Sequence, residues 1–248
     1  MLIEESAYSN RWRPVSPAAK SLFALCGFIA AFAAGTPTAA LATAGVLALT
    51  AIVGASIPGG RYLRVAAPAF FFLATSCLSL AFSLNADHDT GRLVWQLSPS
   101  GLQRIAEVGA RSLGALAALL FLVLTTPLID LIALLRRLRT PEVLLEIMVL
   151  CYRMLFVFSA AVHDTLTAQS ARLGYATPRR TLRSLGGLAA NLTLQVWQRA
   201  HDLHVAAQAR NNDGPLRFLE PVFTHTTRDL SIAVASGSAL IALSLVLS

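Results

Sequence analysis

The chain has 248 residues, 55% of them hydrophobic and only 13% charged, with a mean hydropathy of +0.62. A soluble domain carries about 25% charged residues, so the deficit excludes an ordinary soluble enzyme and points to a membrane protein. The net charge of +7 is carried by arginine, Lys20 being the only lysine; these cations stand beside apolar runs, which favours membrane topology over nucleic-acid binding.

Met1–Lys20 reads as a polar leader rather than a secretory signal peptide, because it holds Glu4, Glu5, Arg11 and Arg13. The positive-inside rule puts it on the cytoplasmic side. Ser21–Gly60 contains no charged residue and is long enough for two spans, each needing about 20 apolar residues. Gly35-Thr36-Pro37 supplies the break, giving a hairpin out through Ser21–Ala34 and back through Thr38–Ile57. Pro58–Arg64 is expected to be a cytoplasmic turn, and Val65–Ala86 a third span. Asn85–Ser100, with Asp87, His88, Asp89, Arg92 and Trp95, is expected to be an external loop.

A fourth span is expected from Gly101 to Thr126, with Arg104, Glu107 and Arg111 sharing a face at its outer end. A basic turn, Pro127–Arg139, should follow. Thr140-Pro141-Glu142 looks like a helix start, with a capping hydroxyl, a proline at the first helical position and an acid in the first turn. Val143–Val162 is apolar enough to cross. However, Glu146 and Arg153 interrupt it, seven apart on one face, and each is costly at mid-bilayer. A crossing would also put Arg179, Arg180 and Arg183 outside, so this segment is expected to lie in or near the cytoplasmic interface. Thr177-Pro178 opens an amphipathic helix, about Arg179–Arg210, whose stripe Leu182, Leu185, Ala189, Leu192, Val196 and Leu203 should pack on something along one face. Asn211–Pro215 ends it, and Leu230–Ser248 is a final span ending outside.

The expected fold is therefore all-α and polytopic, with about five transmembrane helices and a pair of long cytoplasmic helices between the fourth and fifth. It divides into a leader (1–20), a four-span region (21–126), a cytoplasmic or interfacial insert (127–218), and a connector with the last span (219–248). Catalytic and nucleotide motifs are missing: the sequence has no P-loop, HExxH, GxSxG or GxGxxG. Cys26, Cys77 and Cys151 lie far apart in apolar runs and read as small buried hydrophobes. His201 and His204 have a metal-compatible spacing but no third ligand, so they read as a solvated helix face.

The insert repeats one short motif, Ala168-Gln-Ser-Ala171-Arg172 and Ala206-Ala-Gln-Ala209-Arg210, followed by Gly174 and by Gly214. Any cation is welcome at a helix C-terminus. Two such ends in one cytoplasmic insert favour docking instead, since a guanidinium can pair bidentately with a partner carboxylate.

At these residues the chain resembles the transmembrane T component of energy-coupling factor (ECF) transporters, and within that family the CbiQ type of cobalt and nickel importers. The resemblance covers nearly the whole chain. Tyr8-Ser-Asn-Arg-Trp-Arg13, Pro17-Ala-Ala-Lys20, Thr125-Thr-Pro127, Asp130, Leu138-Arg139, Pro141 and Tyr152-Arg153 carry it. Ala171-Arg172 and Ala209-Arg210 match the two Ala-Arg-Gly signatures, with Leu173 and Asn211 in place of the usual glycines. The resemblance implies a non-catalytic coupling subunit of an ABC-type importer, of the kind serving cobalamin biosynthesis. Two CbiO-like ATPases, which hold ATP and magnesium, would grip the arginine-tipped helices. A CbiM-like membrane subunit, with a small CbiN-like accessory protein, would hold the metal ion. No cofactor or metal is expected in this chain itself. Glu146, Arg153, Leu182, Leu185, Leu192 and Val196 would bear on the substrate-binding subunit and on each other. The setting implied is the bacterial inner membrane. A T component for a vitamin or for several substrates, and a membrane-embedded enzyme, are the alternatives. A stand-alone channel is disfavoured, because no row of charges lines any span.

Overall fold

The computed structural model describes residues 2–81, 83–86, 93–96, 99–211, 223 and 226–247. They form helices α1 (Leu2–Ser9), α2 (Pro17–Ala33), α3 (Pro37–Leu49), α4 (Gly59–Ala81), α5 (Pro99–Thr125), α6 (Leu128–Arg137), α7 (Glu142–Ala171), α8 (Pro178–Ala209) and α9 (Thr226–Val246). Several starts follow directly from sequence. Ser16, Thr36 and Thr177 each accept a backbone N–H from three residues on, and each is followed by a proline at the first helical position. Thr140 does otherwise: its hydroxyl donates to the Leu135 carbonyl at 2.8 Å and closes the end of α6, so Pro141 takes the N-cap position and α7 starts at Glu142 without a side-chain cap.

Among the described residues five helices are long and apolar enough to cross a membrane: Pro37–Gly54, Gly59–Leu80, Gln103–Thr125, Glu142–Ala171 and Thr226–Val246. The number agrees with expectation, but the membership differs. The first expected span is the shorter helix α2, of 17 residues or about 25 Å. The fifth candidate is α7, whose 30 residues extend about 45 Å. Other boundaries shift too. Arg61 and Arg64 lie in the opening turns of α4 rather than in a loop, and the basic segment after Pro127 is helical. Ser83–Ala86 (β1) pairs antiparallel with Leu93–Gln96 (β2), so part of the expected third span and of the external loop is a two-stranded ribbon; Asp87, His88, Asp89 and Arg92 lie outside the described residues.

The chain divides into two units, Met1–Leu134 with Pro221–Ser248, and Leu135–Glu220. In the first, α2 packs against α5 and α9, and α3 packs against α5. Lipid gives helices no hydrophobic reason to associate, so close approach through small residues has to supply the dispersion energy. Gly114 of α5 illustrates this: a Cβ there would stand 2.5 Å from that of Ala31 on α2. Phe121 is the aromatic centre, edge-on to Trp12 at 5.8 Å and to Phe23 at 5.2 Å between ring centroids.

Leader residues converge on the break between α5 and α6. Pro127 prevents the helix from continuing, which leaves the last carbonyls of α5 without intrahelical donors. Asn10 Nδ2 donates to the carbonyls of Leu124 and Thr125, at 3.4 and 3.1 Å, and Lys20 Nζ donates to that of Thr125 at 3.1 Å. Asp130, in the first turn of α6, is buried and paired with Arg13. A cation at the C-terminal end of α5 and an anion at the N-terminal end of α6 complement both helix dipoles. Lys20 itself is a buried residue in the opening turn of α2.

Candidate coupling site

The second unit is built on α7 and α8, and both helices stop in the same way. At the end of α7, Arg172 is the cap residue, at φ −94° and ψ 15°. Leu173 follows at φ +56°. The Leu173 N–H reaches the Ser170 carbonyl at 3.0 Å, and the Gly174 N–H reaches that of Gln169 at 2.9 Å. These are the two hydrogen bonds of a Schellman cap, with leucine in the left-handed position that glycine usually fills. At the end of α8, Arg210 caps at φ −97° and ψ 9°, and Asn211 follows at φ +53° with its N–H on the Gln208 carbonyl at 2.9 Å. The repeated Ala-x-x-Ala-Arg segments thus have one geometry. The residues at the glycine positions, Leu173 and Asn211, adopt the glycine conformation.

Arg172 and Arg210 are exposed, as are Ala168, Ala171, Ala206 and Ala209, so both tips offer a guanidinium beside a low, small-residue surface. Neither guanidinium has a hydrogen-bond or ion-pair partner among the described residues. Gly214 lies outside the described residues. Gly174 serves a purpose its place in the motif did not reveal. A Cβ there would meet Ser184 Oγ at 2.7 Å and the Gln169 carbonyl oxygen at 2.9 Å. It is the close-approach residue of the elbow, while Leu173 makes the turn.

Three residues that sequence reasoning passed over hold this elbow together. Gln169 Nε2 donates to the Ser184 carbonyl at 3.1 Å, and Tyr175 Oη donates to Gln169 Oε1 at 2.5 Å. Ser184 Oγ donates to the Gly174 carbonyl at 3.0 Å. Gln169 occupies a variable position of the repeat, so only comparison with Ala207 in the second copy distinguishes it.

The stripe expected to pack along α8 does not do so within this chain. No residue of α8 is buried; Leu182, Leu185 and Val196 are exposed and Leu192 is half-buried. The half-buried face is Thr181, Ser184, Leu188, Leu192 and Gln195; it adjoins the apolar stripe and shares Leu192 with it, and the polar elbow helps set which side of α8 meets α7. Further along, α7 and α8 border a groove of about 810 Å³, with Met154, Phe158, Val196 and Leu203 on its walls. Arg153, Arg199 and Arg210 also line it. Glu146 is half-buried two turns earlier on α7. Cys151, expected to be buried, is exposed beside this groove, whereas Cys26 and Cys77 are half-buried. His201 and His204 are both exposed, and among the described residues no three His, Cys, Asp or Glu side chains cluster as metal ligands would.

The comparisons with known proteins converge. The family model for CbiQ, cobalt transport protein, matches residues 9–218. The chain is 36% identical to the cobalt transport protein CbiQ of Rhodobacter capsulatus over 219 residues, covering 88% of this chain and 86% of that one. Against CbiQ of Salmonella typhimurium it is 31% identical over 210 residues, covering 79% and 90%. A relative in Methanocorpusculum labreanum, described as a fused cobalt transport protein CbiMQ, is 28% identical over 222 residues, which is 86% of this chain and 37% of that longer one. The chain belongs to the CbiQ family of cobalt transport proteins and, with five helices of spanning length, is a multi-pass membrane component of cobalt transport.

Proposed function

We propose that this chain is the non-catalytic coupling (T) subunit of an ECF-type importer for cobalt or nickel ions, and that Arg172 and Arg210 are its contacts with two ABC ATPase subunits. The observation that carries the reading is the pair of matching caps, each presenting an exposed arginine past an exposed alanine face. A guanidinium fixed at a helix tip is preorganised to pair bidentately with a carboxylate in a partner groove, and two tips suit two ATPases. ATP and magnesium belong to those partners, and no bond is made or broken in this chain.

The metal ion is carried by a CbiM-like membrane subunit, with a CbiN-like accessory protein. The fused CbiMQ relative supports that partnership, since its name joins the two parts in one chain. The apolar stripe with Leu182, Leu185 and Val196 is the surface such a subunit would cover. In this reading α2, α3, α4, α5 and α9 cross the bacterial inner membrane, with the N-terminus cytoplasmic and the C-terminus outside. Helix α7 lies at the cytoplasmic interface. Arg136, Arg137 and Arg139 stand before it and Arg179, Arg180 and Arg183 after it, so the positive-inside rule keeps both its ends on one side.

The test is co-purification in mild detergent. Arg172→Glu with Arg210→Glu is expected to abolish recovery of the ATPases while the chain still inserts. Full recovery from the double variant would remove the arginine assignment.

A further inference from the structure

The chain leaves the membrane unit for the second unit through α6 and returns to it at α9. Leader residues grip it at both points. On the outgoing side, Arg13 pairs with Asp130 in the first turn of α6, and Lys20 and Asn10 hold the last carbonyls of α5. On the returning side, the Ser16 N–H donates to Asp229 Oδ2 at 3.0 Å, in the first turn of α9. The leader is itself fixed: the Arg11 N–H reaches the Ala55 carbonyl at 3.2 Å, and Trp12 stacks edge-on to Phe121. Residues 105 and 117 positions apart in sequence thereby form one joint.

We propose that Asp130, held by Arg13, is a positioning residue. It makes the α5–α6 break a rigid joint, so that movement of the arginine-tipped unit is passed to the membrane helices and is not absorbed at the break. The inference rests on the coupling function proposed above. Buried ion pairs are a poor means of stabilisation, since apolar residues of similar volume often do as well; their best-attested use is to fix one geometry. A break at Pro127 with free carbonyls would otherwise act as a swivel. The leader occupies the last carbonyls of α5 and ties the anionic first turn of α6, so the angle at the break is set by directional contacts. Among the described residues Asp130 Oδ1 and Asn10 Oδ1 are buried there without a hydrogen-bond partner, so the joint is polar at its centre as well as at its edges.

The experiment uses the complete transporter in proteoliposomes, with ATP hydrolysis and uptake of radiolabelled cobalt measured on the same preparation. In Asp130→Asn and Arg13→Gln, cobalt taken up per ATP hydrolysed should fall at least fivefold, while the ATPases remain bound. Arg13→Lys should keep the ratio near wild type, and the Arg13→Gln/Asp130→Asn double variant should be no worse than either single one. An unchanged ratio in assembled complexes would overturn the proposal, as would hydrolysis and uptake falling together with the amount of complex. If Asp130→Asn does not accumulate, the pair Arg13→Lys and Arg13→Gln decides, because the Arg13 side chain is 34% exposed and tolerates change better. Wild-type chain that fails to hold the ATPases would instead remove the coupling function, a result separable from any change of ratio within an intact complex.

Discussion

Helices α4 and α8 leave equally large apolar side chains uncovered, for different reasons. On α4, Phe71 and Phe72 are 78% and 73% exposed; on α8, Leu182 and Trp197 are 75% and 78% exposed. Helix α4 is apolar enough to span, so lipid covers its phenylalanines. Helix α8 is not among the helices of spanning character, and Arg179, Arg180, Arg183, Arg199 and Asp202 are spread along it. This chain's own core does not cover its exposed leucines and tryptophan. Exposed apolar surface of that kind marks an interaction site, and under the proposed coupling function a partner subunit covers it.

The largest expected effect breaks that comparison directly. Phe71→Arg should sharply reduce membrane insertion, since an arginine in a span costs about 2.5–3.5 kcal/mol on insertion scales. Trp197→Arg should leave insertion intact and instead lose the membrane partner on co-purification. Equal loss of insertion in both, measured as membrane-fraction yield, would place α8 in lipid and end the distinction.

A second effect tests how firmly α8 is attached to α7. Gly174→Val would drive a side chain into Ser184 Oγ and the Gln169 carbonyl. Overpacking of this kind costs about 1–3 kcal/mol. Limited proteolysis should therefore cut the elbow faster in Gly174→Val, while the leader–α5 core keeps its resistance. Gly186→Val is the control, since its Cβ would meet nothing within 4 Å. Equal protection of both variants would show that the elbow yields without loss.

Much of this arrangement was legible in the sequence, for local reasons. Uncharged runs gave the membrane helices, and Ser16-Pro17, Thr36-Pro37 and Thr177-Pro178 gave three helix starts. The Ala-Arg pairs marked two helix ends. The rest depends on contacts that leave no local pattern. Lys20 meets Thr125, and Arg13 meets Asp130, across more than a hundred residues. Which face of α8 meets α7 has no local signal, because contacts such as that of Gln169 with Ser184, fifteen residues on, help to set its rotation. The ribbon of Ser83–Ala86 and Leu93–Gln96 was read as span and loop because four-residue strands are too short for alternation to show.

The smallest expected effect sharpens the likeness between the two tips. A left-handed conformation costs an ordinary L-residue roughly 1–2 kcal/mol, and asparagine less because its short polar side chain bonds locally. Leu173 and Asn211 have nearly equal angles, φ +56° and +53°, so the strain differs by residue type rather than by geometry. Leu173→Gly should stabilise the elbow by about 1 kcal/mol after glycine's added unfolded-state entropy is subtracted. Asn211→Gly should change stability by only a few tenths of a kcal/mol. Hydrogen exchange reads the difference at each cap's own amide, that of Gly174 on Gln169 and that of residue 211 on Gln208: slower exchange at the first in Leu173→Gly and no more than a small change at the second in Asn211→Gly. Slowing in neither variant would mean that the Gln169–Tyr175–Ser184 contacts, rather than the backbone conformation at Leu173, limit opening of the cap.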